Sequence, residues 1–322
     1  MVKPIKIIWD WVTKTMFMSE QKSIRRREQQ DNIWLERVGC PLPSAARPEF
    51  SYNILDDEMF VGKAMFDELV KYSQTKSGDI VIVLLGGRGA QAMYSLISKL
   101  AEGNSIDELL DRLHVLTQDA LAPMRMNNGL SFVRDFERLL GEQFFRKIKS
   151  FTPMFTETDD IERELTAYLE TLESLGGIDI FFLGLGPEAN AASHLCYIKP
   201  GSGARYCDIA GMIPISESIL DHHISKFRAG GSVVSEADEA ECRRAASILT
   251  LGPAAILGAR MIVQSIVDAS TAPAKRESFR RMIETELSTD ETELARQCDE
   301  NPGLWIRLHP NVVSFVLPDL IQ

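Results

Sequence analysis

Four short stretches of this sequence carry side chains able to move a proton or hold an anion. In the first, Gly86-Gly87-Arg88-Gly89, glycines end an apolar run and open a helical pattern. Such a turn presents unpaired backbone N–H groups and the positive end of a helix dipole, and an arginine within it can grip phosphate with two parallel hydrogen bonds. A tight strand-to-helix turn would use the same glycines, and the spacing matches neither the dinucleotide fingerprint nor the Walker loop. The second stretch, Thr117-Gln118-Asp119, closes another apolar run. A carboxylate at the carboxyl end of a parallel strand either shuttles protons or caps its own loop. The third, Gly184-Leu185-Gly186-Pro187-Glu188-Ala189-Asn190 with His194, puts a carboxylate, an amide and an imidazole within one loop's reach. His194 reads equally as a hydrogen-bonded structural histidine. The fourth is Lys275, close to a helix start, where a cation opposes the dipole unless an anion lies beside it. His222-His223 falls in a polar helical stretch and reads as surface.

The spacing of apolar residues supplies the elements that must position these groups. Met59, Val61, Met65, Leu69 and Val70 form one helix face; residues 79–85 form a β-branched strand; Met93, Leu96, Ile97 and Leu100 resume helical spacing after the glycine turn. Residues 113–117 read as a second strand, and Phe132, Phe136, Leu139 and Leu140 as the next helix. Asp159 with Glu162 three residues on marks a helix start, and Gly176-Gly177 its end. The run 178–183, apolar except for Asp179, suits a central strand buried on both faces. Pro253 opens a helix expected over 254–267, and 312–317 reads as a last short strand. Strands alternating with helices throughout predict an α/β fold, an open, mostly parallel sheet with helices on both faces.

At 322 residues the chain can bury a sizeable core, and no composition break divides it. The net charge of -11 repels a phosphate backbone, so nucleic acid is not an expected partner. No apolar stretch approaches the ~18 to 20 residues of a membrane span. Five scattered cysteines, Cys40, Cys196, Cys207, Cys242 and Cys298, without C-x-x-C spacing fit reduced thiols and a cytoplasmic protein, with no metal site. Residues 1–50 read as an N-terminal extension, a partly helical arm with Arg25-Arg26-Arg27 on a solvated helix face or binding an anion. Trp9 and Trp11 offer a docking surface to a partner subunit, which keeps a homo-oligomer open.

Together these stretches resemble the glucosamine-6-phosphate deaminase and 6-phosphogluconolactonase family, in matching order from about residue 50 to the C-terminus. Leu84-Leu85-Gly86-Gly87-Arg88-Gly89-Ala90 with Tyr94 looks like the family's phosphate loop, and Thr117-Gln118-Asp119 like its Asp-bearing strand end. Residues 180–192 resemble its Gly-x-Gly-x-Asp-Gly-His-x-Ala signature. Leu249-Thr250-Leu251-Gly252 and Lys275 resemble its Leu-Thr-x-Gly stretch and phosphate-binding lysine. Trp305-Ile306-Arg307-Leu308-His309-Pro310 is similar to the deaminases' closing Leu-His-Pro segment. The resemblance implies a Rossmann-like sheet and a sugar-phosphate isomerase/lactonase-like domain over 51–322. It also implies cofactor-free acid/base chemistry on a small phosphorylated sugar, consistent with the missing dinucleotide fingerprint.

Departures accompany the matches. Read without gaps, Glu188 takes the place of the signature's aspartate and Asn190 that of its histidine; with a longer loop, His194 takes the histidine's place. An amide cannot exchange protons, and losing a general acid/base costs on the order of 10² to 10⁴ in rate. Lys199 stands where the deaminases carry a glutamate. The expected activity is a sugar-phosphate isomerase or deaminase acting on a phosphorylated amino sugar or a related sugar acid. Arg88, the loop amides of Gly86, Gly87 and Gly89, and Lys275 would hold the phosphate. Asp119 would shuttle the proton, and Glu188 with His194 or Asn190 would serve the ring oxygen. The alternatives are a catalytically silent sugar-phosphate-binding protein and a lactonase-like ester hydrolase. Residues 1–50 lack the helix-turn-helix pattern a sugar-responsive regulator would need.

Overall fold

Residues 24–40, 50–186 and 193–322 are described by a computed structural model. Its strands are, in chain order, β1 Ile24–Gln29, β2 Asn32–Arg37, β3 Asn53–Ile54, β4 Ile80–Leu84, β5 Leu113–Thr117, β6 Asp119–Ala122, β7 Ser150–Thr152, β8 Ile180–Leu183, β9 Asp208–Pro214, β10 Ser247–Leu251, β11 Met261–Ile266 and β12 Val312–Val316. Seven of them form a parallel sheet in the order β3-β12-β11-β8-β4-β5-β7. β4 (IVIVL) and β8 (IFFL) lie side by side at its centre with every residue buried, as an unbroken apolar run requires when helices cover both faces. From β4 the chain winds outward through β5 and β7, then returns to β8 and winds the other way through β11 and β12. That reversal opens a crevice at the carboxyl ends of β4 and β8.

The expected α/β class and parallel sheet with helices therefore hold for these seven strands. A second sheet, antiparallel and ordered β1-β2-β9-β10-β6, was not anticipated. Its strands are four to seven residues long, and Gly211 and Pro214 fall within β9, so little periodicity marks them in the sequence. Arg25, Arg26 and Arg27 lie on β1 rather than on a helix face. Arg27 reaches into the protein to pair with the fully buried Asp208 and donates to the carbonyl of Gly203 at 3.0 Å. Trp34 on β2 is completely buried, packs against Gly211 of β9, and donates its indole N–H to Ser202. The hairpin is thus joined to the rest of the protein, while Trp9 and Trp11 lie outside the described residues.

Two element boundaries also differ from expectation. Asp160, not Asp159, caps the helix Ile161–Ser174 by accepting from the Arg163 N–H. The helix opened by Pro253 lasts only to Leu257, because Gly258 ends it and the following run becomes β11. Among the described residues no helix is long and apolar enough to cross a membrane, and no cluster of three metal-ligating side chains occurs.

Candidate functional site

The crevice is a cleft lined by the turn after β4, the start of β6, the segment after β8, the helix Glu217–Ala229 and the segment after β11. Gly86, Gly87, Arg88, Gly89, Asp119, His194 and Lys275 all line it. Glu188 and Asn190 lie outside the described residues.

The glycine turn enters its helix through a 3-10 turn, Arg88–Ala90, and no side chain caps either it or the helix Gln91–Ala101. Gly87 needs to be glycine because its φ is +75°. Arg88 is not idle in this turn: its guanidinium grips Glu58, Nη2 to Oε1 at 2.7 Å and Nε to Oε1 at 3.1 Å. Glu58 opens the helix Glu58–Thr75. A bound anion at Arg88 must therefore share it with Glu58.

Lys275 resolves its own conflict with the helix dipole. Buried in the first turn of the helix Ala274–Glu284, its ammonium meets the Asp268 carboxylate at 2.5 Å and the Val267 carbonyl at 3.2 Å. Burial lowers its pKa and Asp268 opposes that fall. Asp268, two residues beyond β11, adopts φ +59° and also faces Lys226 at 3.4 Å.

Asp119 is the first residue of β6, where the chain leaves the parallel sheet for the antiparallel one. Its carboxyl is buried, and that desolvation raises its pKa from 3.8 to about 7, against a single bond from the Gln118 amide at 2.9 Å. His194 is neutral for the same physical reason: burial, reinforced by the Lys275 charge, lowers it to about 3. Its ring stacks on Tyr197 with centroids 4.3 Å apart, and Nδ1 finds no partner among the described residues. Gly186 leaves the space the ring occupies, since a Cβ there would stand 1.8 Å from His194 Cε1.

Several lining residues escaped the sequence reading: Gln118, Tyr197, His222, His223, Lys226 and Asp268. Of the pair His222-His223, His223 is buried and His222 is half-buried beside the cleft. Ile219, Leu220, His223, Ile224 and Phe227 form the buried face of their helix, and His223 Nε2 bonds the Leu130 carbonyl at 2.7 Å. Burial lowers His223 to about 4. The i, i+4 spacing of His222 and Lys226, and an aspartate just beyond a strand, were the signals available.

A buried carboxyl near neutrality, an unprotonated imidazole and lysines thus meet in one crevice at the switch point, where open α/β sheets bind their ligands. No family model matches the chain. In sequence it is 22% identical over 262 residues to a glucosamine-6-phosphate deaminase of Staphylococcus epidermidis, covering 81% of this chain and 92% of that protein. It is 23% identical over 165 residues to one from a Geobacillus species, covering 51% and 53%. Among solved structures, a monomeric glucosamine-6-phosphate deaminase superposes with a TM-score of 0.64 at 18% identity, covering 84% of this chain and 98% of that one. The 6-phosphogluconolactonase of Trypanosoma brucei gives 0.59 at 16%, covering 84% and 97%. That of Thermotoga maritima gives 0.57 at 17%, covering 83% and 98%. In fold the chain stands with the glucosamine-6-phosphate deaminases and 6-phosphogluconolactonases, and in sequence it resembles the deaminases.

Proposed function

We propose that the protein is a sugar-phosphate isomerase or deaminase that works by acid/base chemistry on a phosphorylated amino sugar or a related sugar acid. One observation carries the reading: Asp119, a buried carboxyl at about 7, lines the same cleft as the glycine turn and Lys275. A general base is most effective when its pKa lies near the working pH, and desolvation brings Asp119 there. The amides of the turn, with Arg88, Lys226 and Lys275, receive the phosphate. Asp119 moves the proton between neighbouring carbons, and neutral His194 serves the ring oxygen through Nδ1. Ammonia release from glucosamine 6-phosphate tests the reading. Activity in the wild-type protein that Asp119→Asn abolishes supports it; no release above background refutes it.

Lactonase chemistry is the second reading, favoured by Lys199. Where the resemblance puts the deaminases' glutamate, this lysine donates to the Pro214 carbonyl and does not line the cleft. Acid release from 6-phosphogluconolactone above the spontaneous rate would select it. Thermal stabilisation by sugar phosphates without turnover of either substrate would point to a binding protein.

A further inference from the structure

We infer that Gln118 positions Asp119 and contacts the ligand at the same time, its amide holding the carboxylate by one end and offering the other end to whatever occupies the cleft. Three observations support this. The Gln118 Nε2 donates to Asp119 Oδ2 at 2.9 Å, and among the described residues no other side chain bonds that carboxylate. Both residues are buried and both line the cleft. The remaining end of the amide, Oε1, is buried and unpartnered among the described residues. A buried acceptor without a donor is costly unless a ligand supplies one.

The orientation of the amide follows from its neighbour. An ionised carboxylate can only accept, so Nε2 turns toward Asp119 and Oε1 faces away from it. Once Asp119 takes a proton, its O–H donates to Oε1 and the NH₂ end is released. The cleft then presents an acceptor to the ligand while Asp119 is a base and a donor after it has become an acid. Among the described residues, the titratable side chains that feel the Asp119 charge are Tyr94 from the helix Gln91–Ala101, Tyr168 from the helix Ile161–Ser174, and Cys196. Burial raises all three well above their usual values, so all are neutral and none of the three competes with Gln118 for control of the carboxyl.

This inference rests on Asp119 being the proton-transfer group, yet its test needs no turnover. The Asp119 carboxyl is titrated by ¹³C NMR in the full chain, with Asp119→Asn identifying its resonance. Gln118→Met removes the bond that favours the ionised form, so Asp119 titrates about one pH unit higher, a tenfold gain in proton affinity. Gln118→Glu keeps the shape but adds a second carboxylate, and moves the titration further up; it carries the test should Gln118→Met fail to fold. Asp119 titrating unchanged in a folded variant overturns the positioning role. For the contact, calorimetric affinity for glucosamine 6-phosphate falls about tenfold in Gln118→Met, and unchanged affinity overturns it. A shifted Asp119 without ammonia release would leave Gln118 as inferred and remove the deaminase reading. An unshifted Asp119 with active enzyme would do the reverse.

Discussion

Asp119→Asn should make the folded protein more stable in mild alkali while removing its proposed activity. The carboxyl is 2% exposed and its pKa lies at about 7 rather than 3.8. Between those values the folded state keeps a proton that the unfolded chain has released, so the unfolded state binds fewer protons and stability falls as pH rises. The fall begins near pH 4, continues to about pH 7 and then levels off, because above pH 7 both states are ionised. The separation of about 3 pH units corresponds to roughly 4 kcal/mol at 1.36 kcal/mol per unit. The asparagine carries no charge to desolvate, but its buried amide needs partners of its own. The variant is therefore expected to gain about 2 to 4 kcal/mol over the wild type at pH 8 and little at pH 4. Urea unfolding followed by circular dichroism at several pH values measures this directly. With a slope of about 3 kcal/mol/M, the midpoints should separate by roughly 1 M at pH 8. Parallel curves for the two proteins from pH 4 to 8 would refute the argument that Asp119 is held desolvated.

Three further outcomes follow from the same geometry. Gly186→Ala places a methyl 1.8 Å from His194 Cε1 while the Gly186 N–H remains bonded to the His194 carbonyl at 3.0 Å. It should cost about 1 to 3 kcal/mol in thermal or chemical unfolding and at least 10²-fold in kcat. Arg27→Met strands the buried Asp208 carboxyl, which desolvation already raises to about 6. The loss should be about 3 kcal/mol at pH 8 and smaller at pH 5, where Asp208 takes a proton; equal losses at both pH values would contradict the pairing. Lys275→Met leaves Asp268 facing the cleft without its main counter-charge. Steady-state kinetics should show half-saturation by glucosamine 6-phosphate rising at least tenfold with a smaller change in kcat, the sign of lost ground-state binding.

The parallel sheet was legible where physics leaves few choices. β4 and β8 must be apolar at every position because helices cover both faces, and a run such as IFFL followed by glycine reads only one way. The glycine turn and Asp119 could be singled out because each follows the end of a parallel strand, Lys275 because a cation opposes the start of its helix, and His194 because it shares a loop with the glycines after β8. What joins them is non-local: strand order, which brings the ends of β4, β5, β8 and β11 to one crevice, is not written in any window of the chain. β11 is hidden for a local reason: residues 261–266 continue an apolar run from 254, and only Gly258 marks where a helix gives way to a strand. The second sheet is hidden because its strands come from segments as distant as 24–37 and 247–251. His222-His223 misled because two adjacent polar residues suggest solvent, whereas one of them falls on the buried face set by Ile219, Leu220, Ile224 and Phe227. The ion pairs of Arg88 with Glu58 and of Lys275 with Asp268 needed coordinates, since the first joins residues 30 positions apart.

The β1-β2 hairpin has a consequence for the order of assembly. During synthesis this ribbon leaves the ribosome before the neighbour that completes its hydrogen bonding, since β9 is translated only after most of the parallel sheet has been made. Until then one margin of β2 stays open and Trp34 has no Gly211 to lie against. Closure of the antiparallel sheet is therefore a late event in the birth of this protein, and the indole of Trp34 records it.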